Sequence, residues 1–167
     1  VTGSHGKTTT TSLIAKILSE AKLDPTIVNG GVVNSLGGSA KLGKGDWSVL
    51  EADESDGSFL NLPVNYSVVT NLDREHLDFY KNFKNLKKAF GNFINRTPTF
   101  GKSFVCTDGR ELKKIVYQLK NRNFLTYGFN KGSNYQILNT DYKKNYSVFD
   151  LKISTSLFKK IIIRKIK

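Results

Sequence analysis

The sequence has few of the residues that stabilise or anchor proteins outside the cell. It contains one cysteine, Cys106, among 167 residues, which excludes an internal disulfide and fits a reducing compartment. Cys106 lies in the apolar run 103–107, so we expect a buried strand residue and not a nucleophile. No apolar run approaches the roughly 20 residues that a membrane-spanning helix needs. We therefore expect a cytoplasmic protein without a membrane partner.

Methionine is also absent, although a glycine-rich segment begins as early as Gly3. A phosphate-binding loop normally follows a buried strand, so we expect most of that strand to lie upstream, in a longer protein. The 167 residues still suffice for one domain with a core of its own.

The net charge of +12 is unevenly distributed along the chain. Residues 1–80 hold six Lys or Arg and ten Asp or Glu, whereas residues 81–167 hold twenty and four. The basic half has no arginine-rich stripe and no recognisable nucleic-acid module. We therefore expect no nucleic-acid partner; a basic region can also attract an anionic substrate.

The segment G-S-H-G-K-T at residues 3–8 predicts a phosphate-binding loop. Backbone N–H groups of such a loop close on phosphate oxygens, and the helix that follows directs its positive end at the same anion. Lys7 would contact the β- and γ-phosphates, and the Thr8 hydroxyl would bind Mg²⁺. The alternative is a glycine-rich turn with an incidental lysine, because Val1 replaces the first glycine of the usual pattern. The predicted phosphate contacts are Gly3, Ser4, His5, Gly6, Lys7, Thr8 and Thr9.

Two further segments place acidic groups directly after strand-like runs. Glu51 ends an apolar run as an acidic Mg²⁺ ligand does, whereas most acids of 53–56 are predicted to be loop carboxylates or helix caps. Carboxylates repel a triphosphate unless cations intervene, so the pattern predicts one or more Mg²⁺ ions. After the second run come Asn71, Asp73, Glu75, His76 and Asp78.

The two histidines leave alternatives open. His5 either fills space over the loop backbone or takes part in catalysis. His76 either contacts a second metal or the γ-phosphate, or simply begins a helix.

Strand-like and helical runs alternate over most of the sequence. This alternation predicts an α/β fold with a mostly parallel sheet and helices on both faces. After Gly128, three strand-like runs follow without a helix, which predicts a small antiparallel meander near the C-terminus. A glycine-rich loop is predicted from 30 to 45. The predicted helices cover 8–22, 81–95 and 112–119, and the three late strands cover 135–139, 146–153 and 157–166.

Signatures of other nucleotide-binding classes are absent. The 167 residues contain no [NT]-K-x-D guanine motif, no L-S-G-G-Q of transporter ATPases, and no H-R-D or D-F-G of protein kinases.

The three motifs together resemble the central domain of the Mur ligases, ATP-dependent enzymes that assemble the peptidoglycan stem peptide in bacteria. G-S-H-G-K-T-T-T-T-S-L at 3–13 is similar to that family's shortened phosphate loop. E-A-D-E-S-D-G-S-F-L at 51–60 and T-N-L-D-R-E-H-L-D-F-Y at 70–80 are most similar to the branch that joins L-alanine to UDP-N-acetylmuramate. The resemblance covers nearly the whole chain, so we expect one central ATP-binding domain over 1–167.

The resemblance also implies a site and a reaction. Lys7 would hold the β- and γ-phosphates, Thr8 and Glu51 one Mg²⁺, and His76 would help hold a second. The substrate carboxylate would attack the γ-phosphate of ATP, giving an acyl phosphate that the amine of L-alanine then attacks. The family's UDP-binding N-terminal domain, its amino-acid-binding C-terminal domain and a G-x-H-N segment of the adenine pocket are not in this sequence. We therefore expect the 167 residues alone to be inactive.

Two other functions stay open. One is the ligase that recycles a whole tripeptide, although its acidic motif usually reads E-A-D-E-Y-D, whereas Ser55 stands here. The other is a catalytically silent nucleotide-binding module with its basic half as an interaction surface. The segment 30–40 resembles the family's segment near the muramyl substrate, but Gly38 and Ser39 replace the expected Thr and Asn.

Overall fold

A computed structural model describes residues 1–33, 38–120, 123–158 and 160–167. The chain divides into two compact units, one of Val1–Pro63 with Val68–Ala89 and one of Val64–Ser67 with Phe90–Lys167. The helices are α1 (Lys7–Glu20), α2 (Leu77–Tyr80), α3 (Phe83–Asn95) and α4 (Arg110–Gln118), with a 3₁₀ helix at Ser58–Asn61. The strands are β1 (Thr26–Val33), β2 (Gly38–Lys41), β3 (Ser48–Leu50), β4 (Tyr66–Val69), β5 (Lys102–Cys106), β6 (Phe124–Gly128), β7 (Tyr135–Tyr142), β8 (Ser147–Ile153) and β9 (Ile161–Ile166).

The first unit contains a three-stranded sheet in the order β2-β1-β3. β1 pairs with β3 in parallel and with β2 in the antiparallel sense. Ala15 of α1 packs on Ile27 and Val49, and all three side chains are buried. The sheet therefore has an apolar face that α1 covers.

The glycine-rich loop predicted from 30 to 45 is wrong at 30–33 and at 38–41, which form strands, whereas 42–45 lie outside any strand. β1 continues to Val33, and Gly38–Lys41 returns beside it as β2. Val32 favours this extension of the strand, because a β-branched residue suits a pleated backbone. The middle of the predicted loop, 34–37, lies outside the described residues, as does part of the segment compared with the muramyl-binding region.

Residues Val1 and Thr2 lie between the end of β3 and the Val68–Val69 end of β4, all within the first unit. The Ala52 N–H donates to the Val1 carbonyl over 2.7 Å, and the Thr2 N–H donates to the Val68 carbonyl over 2.9 Å. Thr2 also pairs in parallel with Val69. The segment that begins at Gly3 therefore leaves the same edge as the carboxyl ends of β3 and β4.

The longer sheet has the order β4-β5-β6-β7-β8-β9; β5 to β9 belong to the second unit, and the unit boundary falls within β4. β5, β6 and β7 are mutually parallel, and β7, β8 and β9 form an antiparallel meander. The predicted α/β class, with mostly parallel strands followed by antiparallel strands near the C-terminus, is confirmed. Cys106 ends β5 and is half-buried, and this burial raises the pKa of its thiol.

No helix in the described ranges has both the length and the apolar character needed to cross a membrane.

Candidate nucleotide and cation site

The segment Gly3–Gly6 forms a tight turn that opens directly into α1. Gly3 has φ +140°, and a Cβ there would lie 2.1 Å from the Thr70 hydroxyl oxygen. Gly6 has φ +76° and precedes the first helical residue, Lys7. Both positions thus need glycine, one for close approach and one for a left-handed backbone. The first-turn N–H groups of a helix lack intrahelical partners and can bind an anion.

The residues after β4 hold this turn in place. The Asn71 side chain accepts from the His5 N–H over 2.7 Å and donates to the His5 carbonyl over 2.9 Å. The Thr70 hydroxyl donates to the same carbonyl, and the Ser4 hydroxyl accepts from the Asp73 N–H. The motif at 70–80 therefore fixes the conformation of the phosphate-loop motif at 3–8.

Lys7 lies across the turn and pairs with a buried acid. Its Nζ donates to the Gly3 carbonyl over 2.8 Å and lies 3.1 and 3.0 Å from the two carboxylate oxygens of Glu54. The Glu54 side chain is 1% exposed and that of Lys7 is 16% exposed. The Tyr80 hydroxyl donates to the Glu54 carbonyl and fixes the backbone there. This ion pair places the ammonium group beside the start of α1.

Thr8 and Glu51 meet at the same helix start. The Thr8 hydroxyl donates to Glu51 Oε1 over 3.1 Å, and the Gly30 N–H donates to Oε2 over 2.8 Å. A Cβ on Gly30 would lie 2.9 Å from Oε1, so glycine gives the carboxylate its room. A hydroxyl and a carboxylate this close match the oxygen ligands that Mg²⁺ takes, so the predicted pair fits a cation.

His76 joins a second group of potential ligands. One ligand atom each from Glu54, Glu75 and His76 lies within 4.8 Å of the others, and His76 Nε2 is 3.6 Å from Glu54 Oε1. His76 has φ 54° and immediately precedes α2. The two predicted alternatives for His76 are thus compatible with each other, since His76 immediately precedes a short helix and also faces carboxylates.

The remaining predicted residues occupy peripheral positions. The His5 side chain is 60% exposed, and its Nε2 lies 2.9 Å from Asp73 and 3.6 Å from Glu75, so its ring faces acids. Asp53 and Asp56 accept from the N–H groups two residues ahead, as the predicted turn carboxylates do. Hydrogen bonds from Ser58 lower the pKa of Asp56. Asp78 is exposed.

Sequence reasoning missed Glu54. The available signal was the spacing E-x-x-E, which places a second acid three residues after Glu51 in the loop that follows β3. The Tyr80 hydroxyl, 26 residues away, donates to the Glu54 carbonyl, and no local pattern contains that contact.

Known proteins similar to this chain identify its family. The family model described as the Mur ligase middle domain matches residues 1–164. The chain belongs to this family. Among curated Mur ligases, the UDP-N-acetylmuramate–L-alanine ligase of Pelagibacter ubique (strain HTCC1062) is 58% identical over 167 residues, which are 100% of this chain and 36% of that protein. The chain thus spans about a third of the length of that relative.

Solved Mur ligases share the fold. The UDP-N-acetylmuramate–alanine ligase MurC of Thermotoga maritima superposes with a TM-score of 0.77 at 24% identity, over 96% of this chain and 35% of that one. The MurF ligase of Thermotoga maritima in complex with ADP gives a TM-score of 0.71 at 21% identity, over 98% and 39%.

Proposed function

We propose that this chain is the ATP-binding middle domain of a ligase that joins L-alanine to UDP-N-acetylmuramate in peptidoglycan synthesis. The observation that carries the chemistry is the convergence of Lys7, Thr8, Glu51 and His76 at one helix start. The relative that is 58% identical over the whole chain supports the choice of substrates. The domains that bind the UDP group and the amino acid would belong to the remaining length of the protein.

In this proposal the phosphate groups of ATP lie against the first turn of α1. Its N–H groups and the Lys7 ammonium face the β- and γ-phosphates, where negative charge accumulates during transfer. Lys7 is already held within the site by the Gly3 carbonyl and Glu54. The solved MurF ligase in complex with ADP supports a nucleotide site in this fold.

The two oxygen-rich groups would hold the cations. Thr8 and Glu51 would bind one Mg²⁺, and His76, with Glu54 or Glu75 beside it, would help bind a second. When bound, the ions neutralise charge between a triphosphate and a substrate carboxylate, both of which are anions. Residues His5 and Asp73 remain at the exposed rim of this site.

Lys7 and the helix start would act on the first step. They orient the γ-phosphorus toward the muramyl carboxylate, which forms the acyl phosphate as the bond to ADP breaks. The amine of L-alanine then displaces phosphate from the acyl carbon, in a step that the missing parts of the protein would orient. The 167 residues alone would therefore bind nucleotide without completing the reaction.

The test is ADP release by the full-length ligase that contains this chain. We expect release that requires both UDP-N-acetylmuramate and L-alanine. Equal release with the tripeptide L-alanyl-γ-D-glutamyl-meso-diaminopimelate in place of L-alanine would favour the recycling ligase. No release with either substrate, together with retained ATP binding, would favour a catalytically silent module.

A further inference from the structure

A second, uncharged pair of polar side chains lies behind the Glu51 carboxylate. Asn29 in β1 is 6% exposed and Thr11 in α1 is fully buried. Within the described residues, both amide atoms of Asn29 and the Thr11 hydroxyl have no hydrogen-bond partner. Buried polar atoms almost always have partners, so these three atoms call for an explanation.

The strand register places Asn29 beside Glu51. Ile27 pairs with Val49 and Val28 with Leu50 in the parallel ladder of β1 and β3, so the next pair is Asn29 with Glu51. Ile27 and Val49 both face α1. Because side chains alternate along a strand, Asn29 and Glu51 lie on that same face, one step closer to the phosphate loop.

Helix α1 places Thr11 beside Asn29. Ala15 packs on Ile27, and Thr11 precedes Ala15 by one turn on the same face of α1. Thr8, one further step toward the helix start, already donates to Glu51. Asn29 and Thr11 thus form a buried polar layer directly beneath the Thr8–Glu51 pair.

We propose that Asn29, supported by Thr11, is a positioning residue for Glu51. This inference rests on the proposed role of Thr8 and Glu51 in holding a cation. When Thr8 turns its oxygen to the cation, Glu51 keeps only the Gly30 N–H as a donor, on Oε2. A second donor would then be needed to fix the orientation of the carboxylate. In the cation-bound state the Asn29 Nδ2 group, which lies on the correct face, would donate to Glu51. The Thr11 hydroxyl would donate to Asn29 Oδ1 and keep the amide in that orientation.

The arrangement suits a cation with strict geometry. Mg²⁺ demands near-octahedral ligands, and groups that orient metal ligands change metal affinity by about 10- to 100-fold when removed. A purely structural asparagine would contribute to folding and have no effect on the cation. The two roles therefore differ in what a substitution changes.

The test is Asn29→Leu in the full-length ligase, with the non-hydrolysable analogue AMP-PNP as the probe. We measure its affinity in EDTA and across a Mg²⁺ titration, and the urea midpoint without Mg²⁺. We expect unchanged affinity in EDTA, a half-saturating Mg²⁺ concentration raised by about tenfold or more, and a urea midpoint that does not fall. Val28→Leu, on the opposite and partly exposed face of β1, is the matched control and leaves all three values unchanged.

Several outcomes would overturn the proposal. One is a half-saturating Mg²⁺ concentration for Asn29→Leu within twofold of the wild type. Another is a parallel fall of the AMP-PNP affinity in EDTA and of the urea midpoint, because that result marks a structural role. If Asn29→Leu does not fold, Thr11→Val decides by the same criteria, with a smaller rise of a few-fold expected. A wild-type protein whose nucleotide affinity gains nothing from Mg²⁺ would remove the proposed cation role itself, whereas a gain that both variants retain would remove only the role of Asn29.

Discussion

Two strands of this chain, β3 in the first unit and β5 in the second, are followed by acids that have different partners. After β3, Glu51 and Glu54 accept from or pair with side chains of α1, namely Thr8 and Lys7. After β5, Asp108 accepts from the backbone N–H groups of Phe129 and Asn130 over 2.8 and 3.0 Å. Acids within a few residues of the end of a parallel strand thus serve a candidate site in one unit and a loop in the other.

The difference teaches which strand-end acids to examine for function. Asp108 satisfies neighbouring backbone donors, and a Cβ on Gly128 would come within 2.5 Å of its carboxylate, so this acid shapes the turn after β6. Glu51 and Glu54 instead place negative charge beside the N-terminus of α1, which favours anions. Glu51 has one oxygen on the Gly30 N–H and the other on the Thr8 hydroxyl, and Glu54 pairs with Lys7. These side-chain partners can be exchanged for a ligand, whereas both oxygens of Asp108 are held by backbone amides.

The largest effect is expected from Lys7→Ala in the full-length ligase. ADP release should fall by about 100- to 1,000-fold because charge stabilisation at the phosphates is lost. The free energy of unfolding should fall by about 3–5 kcal/mol, because Glu54 is left buried without its counter-ion. The double variant Lys7→Met/Glu54→Leu is the control: stability returns and activity does not. Unchanged stability in the single variant would show that the pair does not form.

A smaller effect is expected from Glu54→Gln. The amide keeps one acceptor for Lys7, so the free energy of unfolding should fall by only about 2 kcal/mol. ADP release should fall by about tenfold, because the group that faces both Lys7 and His76 has lost its charge. Urea unfolding and a coupled ADP assay measure the two effects. Full activity with reduced stability would assign Glu54 a structural role only.

Asp108→Asn tests the other side of the comparison. It replaces one acceptor oxygen by a donor facing backbone N–H groups, and the free energy of unfolding should fall by about 1–2 kcal/mol. The affinity for ATP should stay within twofold of the wild type in equilibrium binding. A marked loss of affinity would contradict the distinction between the two strand ends.

The smallest effect concerns Tyr80 and alkaline pH. Burial, with the nearby Glu54, Asp56 and Asp53, raises the Tyr80 pKa from 10 to about 12. The stabilisation from this shift is complete below pH 10 and is lost as the pH rises toward 12, because the unfolded chain releases the proton first. Tyr80→Phe should lack this part of the alkaline decline in urea midpoint, at a cost of about 1 kcal/mol at pH 7 for the lost hydrogen bond.

Tyr142→Phe, at an exposed tyrosine, is the matched control for Tyr80→Phe. It should leave both the neutral midpoint and the alkaline decline as they are in the wild type. If the urea midpoint of Tyr80→Phe still declines at alkaline pH as in the wild type, the decline arises from other groups.

The sequence predicted those parts of the molecule that depend on local pattern. The helical spacing after Thr8, the apolar run before Glu51 and the three strands after Gly128 each carry their own signal, and the structure has a matching element at each. The β1–β2 pairing was missed, because glycines indicate a turn and only the pairing of two distant segments makes a strand of them. The Lys7–Glu54 pair was missed because its two residues are 47 positions apart in the sequence and meet only in the fold.

The contacts of Asn71 with His5 have a consequence for the energetics of recognition. Because the side chain of Asn71 holds the turn on both its N–H and its carbonyl, the conformational entropy of ordering that turn is lost during folding and not during association. A ligand arriving at α1 therefore encounters a preorganised turn, and more of its contact energy appears as affinity. By the same reasoning, an asparagine that touches no phosphate can set how tightly phosphate is held.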